Sequence, residues 1–247
     1  MSISSIPADW PVPDTVVGGT TLRGGGVSGA EFASLNLAGH VGDDSTSVAE
    51  NRRRFQAEYS LPTEPVWLRQ VHGSQVALGN SAPSLPEADG IVTTEADVVC
   101  AVLTADCLPV LLTTADGSTV AAAHAGWRGL SAGILERTVS AMSVAPGQIL
   151  AWLGPAISQP AFEVGNEVRE RFVGRIAAAG ACFSENSRGR WQADLVGLAM
   201  LQLRECGVTQ IFGGDCCTHN DSKRFFSYRR DGRCGRMATF IFRRDEL

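Results

Sequence analysis

Three apolar runs that each end in a polar residue dominate the middle of this 247-residue chain. Val98 to Thr104 delivers Asp106 and Cys107, Leu108 to Thr114 returns through Asp116-Gly117, and Ser118 to Ala123 delivers His124. Asp-Gly between two strand-like runs is a tight-hairpin signal, since its turn needs positive φ at the central positions. Runs that are apolar throughout, without polar alternation, read as strands buried on both faces. A thiol and an imidazole therefore leave the ends of neighbouring strands. A further strand-like run, Pro65 to Val71, ends at His72.

Cysteine with two histidines is a zinc ligand set, and three protein ligands leave the fourth tetrahedral position for water or substrate. The same residues also make a Cys–His nucleophile pair, with His124 or His72 as base. The residues alone leave both readings open. Asp89 and Asp106 are candidates for holding a ligand imidazole in its tautomer. Arg69 and Gln70 before one histidine, and Trp127 and Arg128 after the other, are not core-type neighbours.

No Pro-, Ser- or charge-rich seam and no repeat divides the chain, so residues 1–247 read as a single domain with residues 1–13 as an extended lead. Further strands are expected at Thr15 to Thr21, Gln75 to Leu78, Ile91 to Thr94, Ile149 to Leu153, Gln210 to Phe212 and Met237 to Arg243. Helices are expected from a capping box at Ser47 and Glu50 to about Tyr59, from Trp127 to Met142, from Phe162 to Ala178 and from Asp194 to Cys206. Gly126 and Gly129 would open the second of these, a helix start suited to an anion. Strands cluster before helices, which predicts an α+β class with mixed β-sheets flanked by helices.

A net charge of -5 argues against a nucleic-acid surface and for a small substrate. Met1 to Pro13 lacks the basic start and apolar stretch of a secretory signal, and nowhere do eighteen apolar residues run uninterrupted. A cytoplasmic location with no membrane partner follows as an expectation. Arg244-Asp-Glu-Leu and Asn220-Asp-Ser imitate retention and glycosylation signals that only a secreted chain would use. Seven cysteines without a C-x-x-C pair do not make a disulfide framework. Cys100, Cys182 and Cys206 lie in apolar periodic stretches and read as core.

Leu-Arg-Gln-Val-His72-Gly, Ala-Asp-Cys107-Leu-Pro-Val-Leu, Ala-His124-Ala-Gly-Trp-Arg-Gly, Leu-Gly-Pro-Ala-Ile-Ser, Phe-Glu-Val-Gly and Phe-Phe-Ser-Tyr-Arg-Arg-Asp-Gly stand in that order. Together they resemble the laccase-domain purine nucleoside phosphorylase family, also labelled multicopper polyphenol oxidase-like, from about Trp10 to Phe242. The resemblance implies that His72, Cys107 and His124 hold zinc and carry catalysis, on a fold shared with toxin-type cysteine deamidases. It implies phosphorolysis of adenosine, inosine, guanosine and methylthioadenosine, deamination of adenosine, and in some members phenol oxidation. Bacterial relatives are also linked to hydrolysis of cell-wall precursors mis-charged with Ser in place of Ala.

Chemistry ranks these implications. A multicopper oxidase needs about ten imidazoles, whereas this chain has four histidines and no H-x-H pair. Copper is thus the lesser cofactor and zinc the leading one. Phosphorolysis needs an anion site for phosphate, for which Arg69, Arg128 and Arg229 are the guanidinium candidates. Phe225-Phe-Ser-Tyr228 beside two arginines suits a purine and its anionic partner, or a solvated loop. Cys217 and Thr218 match the family's usual Cys-Thr, while Cys216 and His219 read as local variation.

Overall fold

Strand Leu108–Thr114 is buried at all seven positions and Val120–Ala125 at all six, which is why neither shows the alternation of a half-solvated strand. In the computed structural model, which describes residues 3–79 and 85–245, they form the centre of a six-stranded sheet. Its order is Gln210–Gly213, Ile149–Leu153, Leu108–Thr114, Val120–Ala125, Gly90–Thr93 and Val76–Leu78. The two edge pairs are parallel and the inner pairs antiparallel. The hairpin closes where Asp-Gly predicts, with Gly117 at φ 73° and the Asp116 carboxylate accepting the Ser118 N–H at 3.0 Å.

A second sheet, Ser5–Pro7, Val16–Thr21, Met237–Arg243 and Cys100–Thr104, is antiparallel throughout. Ile91, Val102, Leu111, Val120 and Ile241 pack between the two sheets. Neighbours in sequence face the other way: Val110 and Leu112 join the cluster under helices Ile134–Ala141, Asn166–Val173 and Leu195–Glu205. Helix Ser45–Glu58 covers the outer face of the second sheet, its Phe55 ring lying 5.1 Å from that of Phe240. The small sheet Phe183–Glu185, Trp191–Ala193 and Glu163–Val164 completes the strands. Mixed sheets flanked by helices make this an α+β fold, as the order of elements in the sequence predicts. Among the described residues no helix is long and apolar enough to cross a membrane.

Several elements differ from the sequence reading. Pro65 to Val71 is not a ladder strand. Its backbone makes isolated bridges, Val66 to Cys100 and Arg69 to Glu87, its Gln70 amide is bonded to the Leu103 backbone, and Val71 is 46% exposed. The helix expected from Trp127 to Met142 is broken into Trp127–Ser131 and Ile134–Ala141, because Gly133 takes φ 88°, a conformation a side chain would strain. Five residues carry little macrodipole, so the helix-start anion site at Gly126 is not built. Phe162 to Ala178 likewise splits into a short strand and helix Asn166–Val173.

The cap of the first helix is Asp44 rather than Ser47. Its carboxylate accepts the Ser47 N–H at 2.8 Å, while Glu50 turns to Arg53 and Arg54. The lead is partly structured, with Ser5–Pro7 paired against Gly19 to Thr21. Residues 1–2 of that lead and the last two residues of Arg244-Asp-Glu-Leu lie outside the described residues.

Candidate metal centre

Cys100–Thr104 belongs to one sheet and Leu108–Thr114 to the other, so the link through Cys107 is the crossing between them. Pro109 pairs with His124 in the ladder, which brings the end of Val120–Ala125 beside that crossing. His124 shares its parity with Val120 and Ala122 and therefore points to the side between the sheets. Asp89 lies there, fully buried, just before Gly90–Thr93. Its Oδ1 lies 2.8 Å from His124 Nδ1, and its backbone carbonyl accepts the His124 N–H at 2.7 Å. With Nδ1 engaged by a carboxylate, Nε2 is the nitrogen left to face a metal.

The same carboxylate builds the turn that carries His72. It accepts the N–H groups of Val71, His72 and Gly73 at 3.1, 3.0 and 2.7 Å, which holds His72 at φ 60°. The His72 and His124 rings then meet edge to face with centroids 4.8 Å apart. The ligand atoms of His72, Cys107 and His124 all lie within 4.8 Å of one another, the one such group among the described residues. Gly126 makes room for it, because a Cβ there would come within 2.8 Å of Cys107 Sγ.

The electrostatics of the group are coupled. Burial alone would push the Cys107 thiol up, but charge and hydrogen bonding from His124 and His72 outweigh it and bring it down to about 6. Burial opposes a charge on His124, yet the neighbouring Cys107 thiolate and the Asp89 hydrogen bond raise it to about 9. Asp89 is itself held below the usual carboxylate range, its burial outweighed by hydrogen bonds from His124, Gly73 and Val71. A thiolate flanked by two imidazoles is the donor set of a single zinc-type site, so these residues could hold one metal ion.

A cavity of about 460 Å³ opens onto the group. Arg128, Arg229 and Tyr228 line it, as do the three ligand residues. Arg69 does not. Its guanidinium is exposed and pairs with Glu87, outside the lining. Phe225 and Phe226 are wholly buried against Ala105 and Met237, so of the Phe-Phe-Ser-Tyr run only Tyr228, 61% exposed, reaches the cavity.

Asp106 touches neither imidazole in the hydrogen-bond network. One oxygen accepts from the Thr218 hydroxyl at 2.6 Å and the other from the Arg229 N–H at 2.7 Å, which ties the late loops to the cavity wall. Cys217 accepts from the Ser158 hydroxyl at 3.0 Å, and His219 is partly buried, its ring nitrogen 3.1 Å from the Asn220 side-chain oxygen. Gln70, noted in the sequence as a non-core neighbour of His72, lines the cavity, and so do His40, Thr104, Phe162 and Arg236, which the sequence did not single out. A histidine between two glycines in Gly39-His40-Val-Gly42 was the one visible hint.

Fold and site together define an α+β protein with a Cys/His₂ group at the floor of a cationic, aromatic-lined cavity. Residues 17–244 match the family described as multi-copper polyphenol oxidoreductase laccase, and the chain belongs to that family. Among its relatives, purine nucleoside phosphorylase YfiH of Escherichia coli (strain K12) is 50% identical over 238 residues, spanning 96% of this chain and 98% of its own. Purine nucleoside phosphorylase PA4543 of Pseudomonas aeruginosa is 48% identical over 238 residues, spanning 96% and 97%. The crystal structure of Neisseria meningitidis protein NMB0706 matches with a TM-score of 0.94 at 44% identity, covering 98% of this chain and 99% of that one. YlmD from Geobacillus stearothermophilus matches with a TM-score of 0.87 at 35% identity, covering 94% and 93%.

Proposed function

We propose that this chain is a zinc-dependent purine nucleoside phosphorylase, acting on adenosine, inosine, guanosine and methylthioadenosine, with adenosine deamination as a second reaction. The observation that carries the reading is the convergence of His72, Cys107 and His124 at the floor of a cavity lined by arginines and aromatic rings. Relatives of the same length that are named purine nucleoside phosphorylases support it. A cavity of about 460 Å³ lies within the range of small-molecule sites. The net charge of -5 and the lack of a membrane-crossing helix among the described residues accord with a cytoplasmic enzyme, working as one domain on small molecules.

Zinc held by His72, Cys107 and His124 would supply Lewis acidity at the cavity floor. The chain's own residues do the rest. Asp89 fixes the His124 tautomer and the His72 turn. Arg128, stacked 4.5 Å from the Trp127 ring centroid, presents its guanidinium edge to inorganic phosphate. Tyr228, the most exposed ring of the lining, is the one placed to meet the purine, and Phe162 and Trp127 add apolar surface to the wall. In phosphorolysis a phosphate oxygen bonds to the ribose C1′ as the bond to the purine nitrogen breaks and the departing base takes up a proton. Cationic side chains that hold the phosphate in place lower the barrier by orientation. Three ligand residues make one metal position, which disfavours a multicopper oxidase cluster.

The test is metal analysis together with a nucleoside panel, with and without phosphate. About one zinc per chain and phosphate-dependent release of purine base are expected. Full activity in metal-free protein would overturn the zinc reading. Absence of base release from every nucleoside would overturn the phosphorylase reading.

One observation favours a second reading. A lowered Cys107 beside a raised His124 that Asp89 orients is also the arrangement of a cysteine hydrolase. That enzyme would cleave an amide, such as that of a peptidoglycan precursor carrying Ser for Ala. An acyl adduct trapped on Cys107 would select it.

A further inference from the structure

The three candidate ligands leave three separate stretches of chain, and each pair of stretches needs something to fix its spacing. Cys107 and His124 are joined by the ladder that sets Pro109 opposite His124. His72 and His124 share the Asp89 carboxylate. His72 and Cys107 have neither link. The stretch before His72 makes only isolated backbone bridges, and Cys107 follows Cys100–Thr104, the outermost strand of its sheet.

Gln70 spans that gap. Its Oε1 accepts the Leu103 N–H at 2.8 Å, and its Nε2 donates to the Leu103 carbonyl at 2.9 Å. A side-chain amide carries the donor and the acceptor of a peptide group, so it pairs with Leu103 on the edge where a neighbouring strand would lie. The chain two residues before His72 is thereby tied to the strand four residues before Cys107.

Little else holds His72 from this side. Val71 and His72 are both exposed, so apolar packing does not fix the turn. His72 sits at φ 60°, in the left-handed region that a side chain adopts only where its surroundings impose it. Asp89 supports the turn from the side of His124, and the Arg69 N–H, bonded to the Pro86 carbonyl at 2.9 Å, supports the approach to it. Neither contact refers to the Cys107 arm, whereas the Gln70 amide does. Gln70 also lines the cavity, yet its oxygen and one of its N–H groups are committed to Leu103, so those contacts supply position rather than ligand recognition.

We propose that Gln70 is a positioning residue of the metal centre, its amide holding the stretch that carries His72 against the strand that leads to Cys107 and so setting the separation of those two ligand atoms. The inference rests on the reading of His72, Cys107 and His124 as metal ligands, and it assigns to the pair His72 and Cys107 the link that Asp89 gives to the two imidazoles.

Cobalt(II) in place of zinc tests it, because the ligand-field bands of bound cobalt and the absorption of its bond to a thiolate report the geometry of the centre without any turnover. Gln70→Met keeps an unbranched side chain of similar volume but no amide. It should weaken zinc binding about tenfold or more, measured by competition with a chelating dye, and shift the ligand-field bands while the thiolate absorption falls. Gln70→Asn keeps the amide on a side chain one carbon shorter, which cannot reach both Leu103 groups, and should show the same cobalt changes; it carries the test should Gln70→Met fold poorly. Asp194→Ala, which removes the cap of helix Leu195–Glu205, is the control for a general loss of stability. It should lower the melting temperature and leave the cobalt spectrum native. A native cobalt spectrum and zinc affinity in both Gln70 variants, or the same spectral change in Asp194→Ala, would overturn the positioning role while the metal reading stands. Wild-type protein that takes up neither ion would overturn the metal reading, and the positioning role with it.

Discussion

Asp89 Oδ1 and His124 Nδ1 lie 2.8 Å apart in the buried interior, and the same carboxylate gathers the N–H groups of Val71, His72 and Gly73. One side chain thus orients one imidazole directly and the other through its backbone. Asp89→Asn keeps the volume but turns one acceptor into a donor facing these groups. Metal affinity should fall by about 10- to 100-fold, read by competition with a chelating dye. Asp89→Ala should also lower the melting temperature by roughly 10 °C, since breaking a buried pair costs about 3 kcal/mol or more. An Asn variant with undiminished metal affinity would show that the imidazoles are oriented by something else.

Two of the three candidate ligands are placed by strands that backbone ladders already hold, with Cys107 between two sheets and His124 in register with Pro109, and the third, His72, sits in a turn that the Asp89 carboxylate holds. Cys107→Ala should therefore abolish metal binding and turnover while far-ultraviolet circular dichroism stays native. A molten Cys107→Ala protein would make the metal a folding element instead.

Gly126 offers a steric test of the same centre. Its φ of -65° suits any residue, so the constraint is contact, with a Cβ only 2.8 Å from Cys107 Sγ. Gly126→Ala should cut metal affinity by about tenfold or more, as loss of ligand orientation does. Gly24→Ala, where a Cβ meets nothing within 4 Å, is the control and should leave it unchanged. Equal metal affinity in both variants would show that the site tolerates displacement of the sulfur.

Much of this was legible because local chemistry and global fold agree. Asp116-Gly117 announces a hairpin, the unbroken apolar runs announce buried strands, and three donor residues at run ends announce a site. What was not legible depends on residues far apart in sequence. Asp89 and Asp106 were equal candidates to support an imidazole, and only the sheet register, which sets Gly90 opposite Ala123, places the first beside His124. Arg69 looked like a cavity residue until Glu87 claimed it. Arg236 enters the cavity because its strand pairs with Cys100–Thr104, a contact spanning more than half the chain. Phe225 and Phe226 passed for purine platforms, but burial against Met237 makes them core.

Arg128 is exposed at the cavity mouth, with its guanidinium held on Trp127 rather than by a carboxylate. If it grips the attacking phosphate, Arg128→Ala should raise the KM for phosphate and slow phosphorolysis by about tenfold or more, while deamination, which uses water, falls less. Parallel losses in both reactions would reduce Arg128 to a structural part of the cavity wall.

The decisive measurement concerns the state of the Cys107 sulfur. In chelator-treated protein its depressed pKa makes it a thiolate from about pH 6 upward, so iodoacetamide labelling should rise through about 6 rather than the ordinary thiol value of about 8.5. A depressed acid adds stability that is complete above the unfolded thiol's pKa and lost as pH falls through about 6. His124, raised to about 9, adds stability that is complete below the unfolded imidazole's pKa and lost as pH rises through about 9. The thiolate–imidazolium pair should therefore stabilise the chelated protein between these two values and decline on either side, which melting curves across pH would follow. With zinc restored, the thiolate is committed to the metal and labelling of Cys107, mapped by mass spectrometry, should slow across the whole range. Labelling equally fast with and without chelator, together with a substrate-derived acyl group on Cys107, would make the sulfur a free nucleophile and the protein a cysteine hydrolase.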